Sequence, residues 1–267
     1  MAHAYAYFNR QTSEEYYTTL DTLFSNQRNS TTDEIDKDLR RTFPEHTFFN
    51  THEGLESLRR VLTAYAFHNP KIGYCQSMNM LAALLLIYMT ERGTFWTLVT
   101  VCELYFPETY TSSMLGSLVD MEVFKQLVKE MLWRESEHML AHEVDFWTTI
   151  QSRSMCFYLG YLPLEITLRV LDVFFFEGTD FLYAVGLTVI DLLSNDILRH
   201  HDTDSIWSLL QCCPIRACDT EAFMQTVRRY MDEVRDNMQT VSRMKMDGRV
   251  HVMASIKTQA RQRLLRG

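Results

Sequence analysis

Asn69-Pro-Lys-Ile-Gly-Tyr-Cys-Gln-Ser-Met-Asn79 runs directly into Met80-Leu-Ala-Ala-Leu-Leu-Leu-Ile-Tyr-Met89. The first half is punctuated by proline and glycine. The second is an unbroken apolar run, about half a membrane span. It reads as a buried helix over 74–89, entered from a turn at Lys71-Ile72-Gly73. The same pattern extends outward. Segment 55–67 puts Leu58, Val61, Leu62 and Tyr65 on one helical face, and Asn69-Pro70 breaks it. Segment 13–24 is a short amphipathic helix. Thr31-Thr-Asp-Glu34 fits a capping box with Thr31 as N-cap, opening a helix over 33–41 that must stop before Pro44. Further helices are expected at 94–105, 120–132, 135–150, 163–175, 180–196, 203–211, 220–239 and 249–265. Pro107, Pro163 and Pro214 punctuate them. No alternating pattern competes, so the chain is all-α.

Composition agrees. Of 267 residues, 46% are hydrophobic and 22% charged, ordinary for a chain with a sizeable core. Nine glycines and five prolines are too few turn formers for a many-stranded β protein. The net charge of −8 argues against nucleic acid as a partner, because phosphate contacts need clustered Lys and Arg. The end of the chain differs. Segment 241–267 carries Arg243, Lys245, Arg249, Lys257, Arg261, Arg263 and Arg266 against Asp247 alone. It reads as a solvated basic helical tail, with weak contact to an acidic membrane surface as the sharper alternative. Six cysteines show no C-x-x-C pair, and the N-terminus lacks a signal-peptide pattern. Reduced thiols and a cytoplasmic location are the expectation.

Two segments carry candidate chemistry. In Ile35-Asp-Lys-Asp-Leu-Arg-Arg-Thr-Phe-Pro44, Asp38 and Arg41 stand three apart and share a helical side. A carboxylate there can hold a guanidinium and restrict its rotamers. An arginine so held at a helix end suits negative charge on a transferring phosphate. Read alone, the spacing favours an ordinary surface salt bridge. Gln76 would lie in the first turn of the 74–89 helix, with Asn79 one turn later. An amide can orient a water, and polar residues there can also simply cap the helix.

Taken together, I-x-x-D-x-x-R at Ile35, Asp38 and Arg41 and Y-x-Q at Tyr74 and Gln76 resemble the dual-finger signature of TBC-domain Rab GTPase-activating proteins. The likeness continues through 58–66, 69–79, 106–110, 115–120, 162–165 and 169–178, and covers about residues 15–200. It implies an all-α, two-lobed, V-shaped domain, with lobes at 1–110 and 111–240 followed by the 241–267 tail. It also implies roles. Arg41 would be the arginine finger on the phosphates, and Gln76 would position the attacking water. Asp38 would hold Arg41, while Tyr74 and Asn79 would support the Gln76 loop. The partner would be a Rab-type GTPase in its GTP-bound form, bringing its own GTP and Mg²⁺. The chain would need no cofactor and catalyse no independent reaction. It would act in the cytoplasm, peripherally at endomembranes.

Some positions depart from the family pattern. Ser77 stands where most members have glycine. Arg153 and Ser154 occupy the places of a Trp-Phe pair, and Leu171 that of a tryptophan. The usual N-terminal arginine/tryptophan segment is not recognisable. A non-catalytic Rab-binding scaffold or effector is therefore the alternative reading. His138 and His142, at i and i+4 with Glu143 next, have zinc-compatible spacing, but the order is not H-E-x-x-H and no third ligand is evident. No metal site is expected. His200-His201 suits a helix C-terminus. Phe174-Phe175-Phe176 reads as core, and Cys212, Cys213 and Cys218 as buried apolar residues.

Overall fold

A computed structural model describes residues 10–24, 26–75, 77–111, 114–212 and 219–266. Among these residues there is no strand, only an isolated bridge between Leu159 and Leu162. The fold is all-α. The chain divides into two compact units, Met1–Ser113 and Met114–Gly267.

The first unit contains α1 (Arg10–Phe24), α2 (Ser30–Leu39), a 3₁₀ turn (Thr47–Asn50), α3 (His52–His68), α4 (Met78–Tyr88) and α5 (Glu91–Thr100). A π-helical turn, Val101–Tyr105, continues α5 and is closed by Phe106 N–H donating to the Val101 carbonyl at 2.9 Å. The hub is α3, which packs against α1, α2, α4, α5 and the 3₁₀ turn. Leu58, Val61 and Leu62 form its buried stripe, as the 3.6-residue period requires. Each such side chain stabilises the fold by roughly 1.5–3 kcal/mol. Gly54 lets α3 start hard against the 3₁₀ turn. A Cβ there would lie 2.0 Å from the Phe48 carbonyl oxygen.

The second unit contains α6 (Leu115–Met131), α7 (Trp133–Ala141), α8 (Phe146–Ser154), α9 (Leu164–Glu177), α10 (Phe181–Arg199), α11 (Thr203–Cys212), α12 (Thr220–Asp236) and α13 (Met238–Arg266). Here α10 is the hub, packed by α7, α8, α9, α11 and α12. It is long and apolar enough to cross a membrane, yet most of it is buried within the protein. Gly186 admits Phe124, whose ring would lie 2.7 Å from an added Cβ.

Several expectations need correction. The first capping box belongs to Asn29 and Thr32, not Thr31 and Glu34. Asn29 Oδ1 accepts from the Thr32 N–H, and Thr32 Oγ1 accepts from the Asn29 N–H. Asn is as good a cap as Thr, so the earlier residue starts the helix. The expected helix at 135–150 is two helices, parted where Glu143 takes φ 54. Phe174 is core, but Phe176 is 86% exposed. Three successive helical residues span too wide an arc to share one buried face. Cys212 is exposed rather than buried, and Cys213 and Cys218 lie outside the described residues.

The basic segment, as far as Arg266, lies in α13, which runs along α6. Val241, Met244 and Val252 are buried. Gly248 sits close to Glu122, and Lys245 pairs with Asp180. The first half of this segment is packing, not a solvated appendage. At the departures from the family pattern, the Arg153 guanidinium lies 5.3 Å from the Tyr161 ring centre, and Leu171 is buried.

Candidate functional site

The end of α2 and the loop before α4 meet at one carboxylate. Asp38 lies in the last turn of α2 and is buried. The helix ends at Leu39, with Arg40 as C-cap, so Arg41 follows the helix rather than closing it. Its N–H still reaches the Asp38 carbonyl at 3.2 Å. The side chain therefore turns back onto Asp38. Arg41 Nε donates to Asp38 Oδ1 at 2.8 Å, and a terminal guanidinium nitrogen lies 2.6 Å from the same oxygen. The Arg41 side chain remains 58% exposed, against 9% for that of Asp38. The arginine is thus held at its root and open at its face.

Tyr74 occupies the other oxygen, its hydroxyl donating to Asp38 Oδ2 at 2.6 Å. Burial first, then the hydrogen bond to Asp38 and its charge, raises the Tyr74 pKa far above the usual phenol value. The hydroxyl stays a donor at any physiological pH. With both oxygens engaged, the carboxylate has little rotational freedom, and neither has the arginine.

A second link, unexpected from spacing, runs beneath the first. Thr42 Oγ1 donates to the Asp38 carbonyl at 2.7 Å, and Asn79 Nδ2 donates to Thr42 Oγ1 at 2.7 Å. Both residues are buried. Asn79 lies in the first turn of α4, so this chain pins α4 to the end of α2. The Thr42 bond follows the familiar i−4 back-bond of threonine and was readable in principle. Its meeting with Asn79 was not, because it depends on tertiary placement. Asn79 Oδ1 is buried without a hydrogen-bond partner among the described residues.

The expected helix start at residue 74 is also corrected, since α4 begins at Met78. Tyr74 and Cys75 lie ahead of it. Gln76 lies outside the described residues. Ser77 caps α4 at φ 94, a left-handed conformation that costs a non-glycine residue energy. Burial pushes the Cys75 thiol pKa up, which makes it a poor nucleophile.

The base of the loop is held from a third direction. Asn69 Nδ2 donates to Glu103 in the π-helical turn at 2.8 Å. The Asn69 carbonyl accepts from Ile72 N–H at 3.1 Å and Gly73 N–H at 2.8 Å. Gly73, at φ 64, supplies the left-handed turn.

The site is thus a buried carboxylate that clamps an exposed arginine on a helical scaffold. The family profile described as the Rab-GTPase-TBC domain (RabGAP-TBC) matches residues 2–198, and the chain belongs to this family. An Emericella nidulans protein, described as a candidate GTPase-activating protein, is 39% identical over 191 residues, 70% of this chain and 17% of its own length. TBC1 domain family member 2B of Xenopus tropicalis is 35% identical over 188 residues, 69% of this chain and 20% of that protein. The Mus musculus protein of the same name is 32% identical over 207 residues, 76% and 22% respectively. The chain spans only about a fifth of the length of these relatives. Among solved structures, the Chlamydomonas flagellar RabGAP TBC domain superposes with a TM-score of 0.71 at 26% identity, covering 79% of this chain and 71% of that one. The Ypt/Rab-GAP domain of Gyp1p gives 0.70 at 20% identity, covering 82% and 78%, a likeness of fold alone.

Proposed function

We propose that this chain accelerates GTP hydrolysis by a Rab-type GTPase in its GTP-bound form. Arg41 is the group that reaches the phosphates, and Gln76 orients the attacking water. The carrying observation is the doubly held Asp38, which fixes the root of Arg41 while leaving its guanidinium face exposed. Phosphoryl transfer asks little covalent chemistry of the protein. It asks for position and for positive charge where negative charge spreads, and an arginine supplied in trans is worth about 10³–10⁵ in rate. Asp38 and Tyr74 hold Arg41 in place, and Asn79 braces the loop from below. GTP and Mg²⁺ arrive with the partner, and the chain hydrolyses nothing without it. The work is done in the cytoplasm, at whichever membrane the target GTPase occupies.

The test is single-turnover GTP hydrolysis across a panel of Rab proteins, with this chain in excess. At least one Rab should be stimulated by the unaltered chain. Arg41→Ala should abolish the stimulation and retain binding to that Rab, whereas Arg40→Ala should keep most of it. Binding to a GTP-loaded Rab with no stimulation would instead make the chain a docking scaffold.

A further inference from the structure

Three histidines of the second unit converge. His138 lies in the last turn of α7, His142 follows that helix directly, and His201 lies between α10 and α11. Each can present one ring nitrogen so that the three atoms lie within 4.8 Å of one another. The rings of His138 and His142 have centres 4.4 Å apart, and that of His201 lies 5.5 and 5.9 Å from them. The i, i+4 spacing supplies two of these donors. The return of the chain at the end of α10 supplies the third.

Two hydrogen bonds sort the ring nitrogens. His138 Nε2 lies 2.7 Å from the His200 carbonyl oxygen. His142 Nδ1 lies 2.8 Å from the His138 carbonyl oxygen. A carbonyl only accepts, so these two nitrogens carry the protons. In the neutral rings, the lone pairs then fall on His138 Nδ1 and His142 Nε2. This is how metal-ligating histidines are held, with one nitrogen donating to a backbone carbonyl and the other facing the ion. His201 is exposed, so its ring can turn without disturbing the core.

We propose that His138, His142 and His201 form a site for one divalent transition-metal ion of the zinc class, with a fourth position open to water. Imidazole is a ligand such ions favour. At zinc–nitrogen distances of about 2.0–2.1 Å, tetrahedral donors sit about 3.3 Å apart. Closing from within 4.8 Å therefore asks only for side-chain rotation, chiefly at His201. The bound ion would join the end of α7 to the α10–α11 connection and clip together segments distant in sequence. Ordinary capping of two helix ends by cationic rings would also gather histidines here. That account predicts no stoichiometric metal binding.

The experiment uses the tag-free full chain with Zn²⁺ alone, followed by calorimetry near neutral pH, and with Co²⁺ alone, followed by visible absorption. One zinc should bind per chain, and Co²⁺ should give the intense bands of a four-coordinate site that zinc displaces. His201→Ala, which removes a ligand outright, should weaken binding by more than the roughly tenfold to hundredfold that loss of an outer-shell partner costs, and remove the cobalt bands. His200→Ala, which keeps the backbone carbonyl and removes a ring outside the triad, should bind as the unaltered chain does. No stoichiometric binding, only the weak bands of six-coordinate cobalt, or zinc binding untouched by His201→Ala would each overturn the proposal. The last would move the metal elsewhere, the exposed Cys212 being one candidate.

Discussion

The Tyr74 hydroxyl donates to Oδ2 of Asp38 at 2.6 Å, the oxygen that Arg41 leaves open. Removing the carboxylate should therefore release the arginine while leaving its own side chain in place. Asp38→Ala is expected to lower the maximal stimulated rate by about tenfold to a hundredfold, the cost of a misplaced catalytic group, with a smaller change in KM. Tyr74→Phe should act in the same direction and more weakly, because the Arg41 pairing survives it. A rise in KM alone would assign Asp38 to docking.

Gln76 carries a separate expectation. If its amide positions the water, the partner's own switch glutamine is dispensable. A Rab with that glutamine changed to leucine should still be stimulated under single-turnover conditions, and Gln76→Ala should lose most stimulation on an unaltered Rab. The reverse pattern would place the water on the GTPase.

Ser77 holds φ 94 at the start of α4. Ser77→Gly should relieve that strain, although glycine also loosens the unfolded chain. The strain term is the larger, about 1–2 kcal/mol against up to about 1 kcal/mol, so a small net stabilisation is expected. A higher urea midpoint at unchanged slope would show it. A lower midpoint would mean that the Ser77 side chain contributes contacts that glycine lacks.

The packing of α13 on α6 sets the outcome of truncation. Removing 241–267 strips Val241, Met244 and Val252 from their buried positions and leaves Asp180 without Lys245. At roughly 1.5–3 kcal/mol per buried side chain, the second unit should lose several kcal/mol of stability. Thermal unfolding of the shortened chain would reveal this as an earlier transition. Unchanged unfolding would show that α13 adds little to the packing.

Much of this molecule was legible beforehand because its signals are local. The stripe of Leu58, Val61 and Leu62 follows the period of one helix, and the Asp38–Arg41 pair follows from three-residue spacing. The bridge from Asn79 to Thr42 and the approach of His201 to His138 depend on chain returns that no local pattern encodes. The start of α4 was misplaced for a related reason. Tyr74 and Cys75 are apolar enough to extend the periodic run, while the cap is set by backbone conformation at Ser77. The packing of α13 was hidden by its charge, since a helix rich in Arg and Lys can still bury one apolar edge.

Glu103 grips Asn69 from a segment wound more widely than an α-helix. Such a turn amounts to one extra residue accommodated within a continuous helix. Deleting Val101 or Cys102 would let the segment relax to ordinary winding and draw Glu103 off the position from which it reaches Asn69. The loop that leads to Tyr74 would then lose that anchor. A codon loss in Val101–Tyr105 would thus disturb the loop leading to Tyr74, although Asp38, Arg41 and Tyr74 would all still be present.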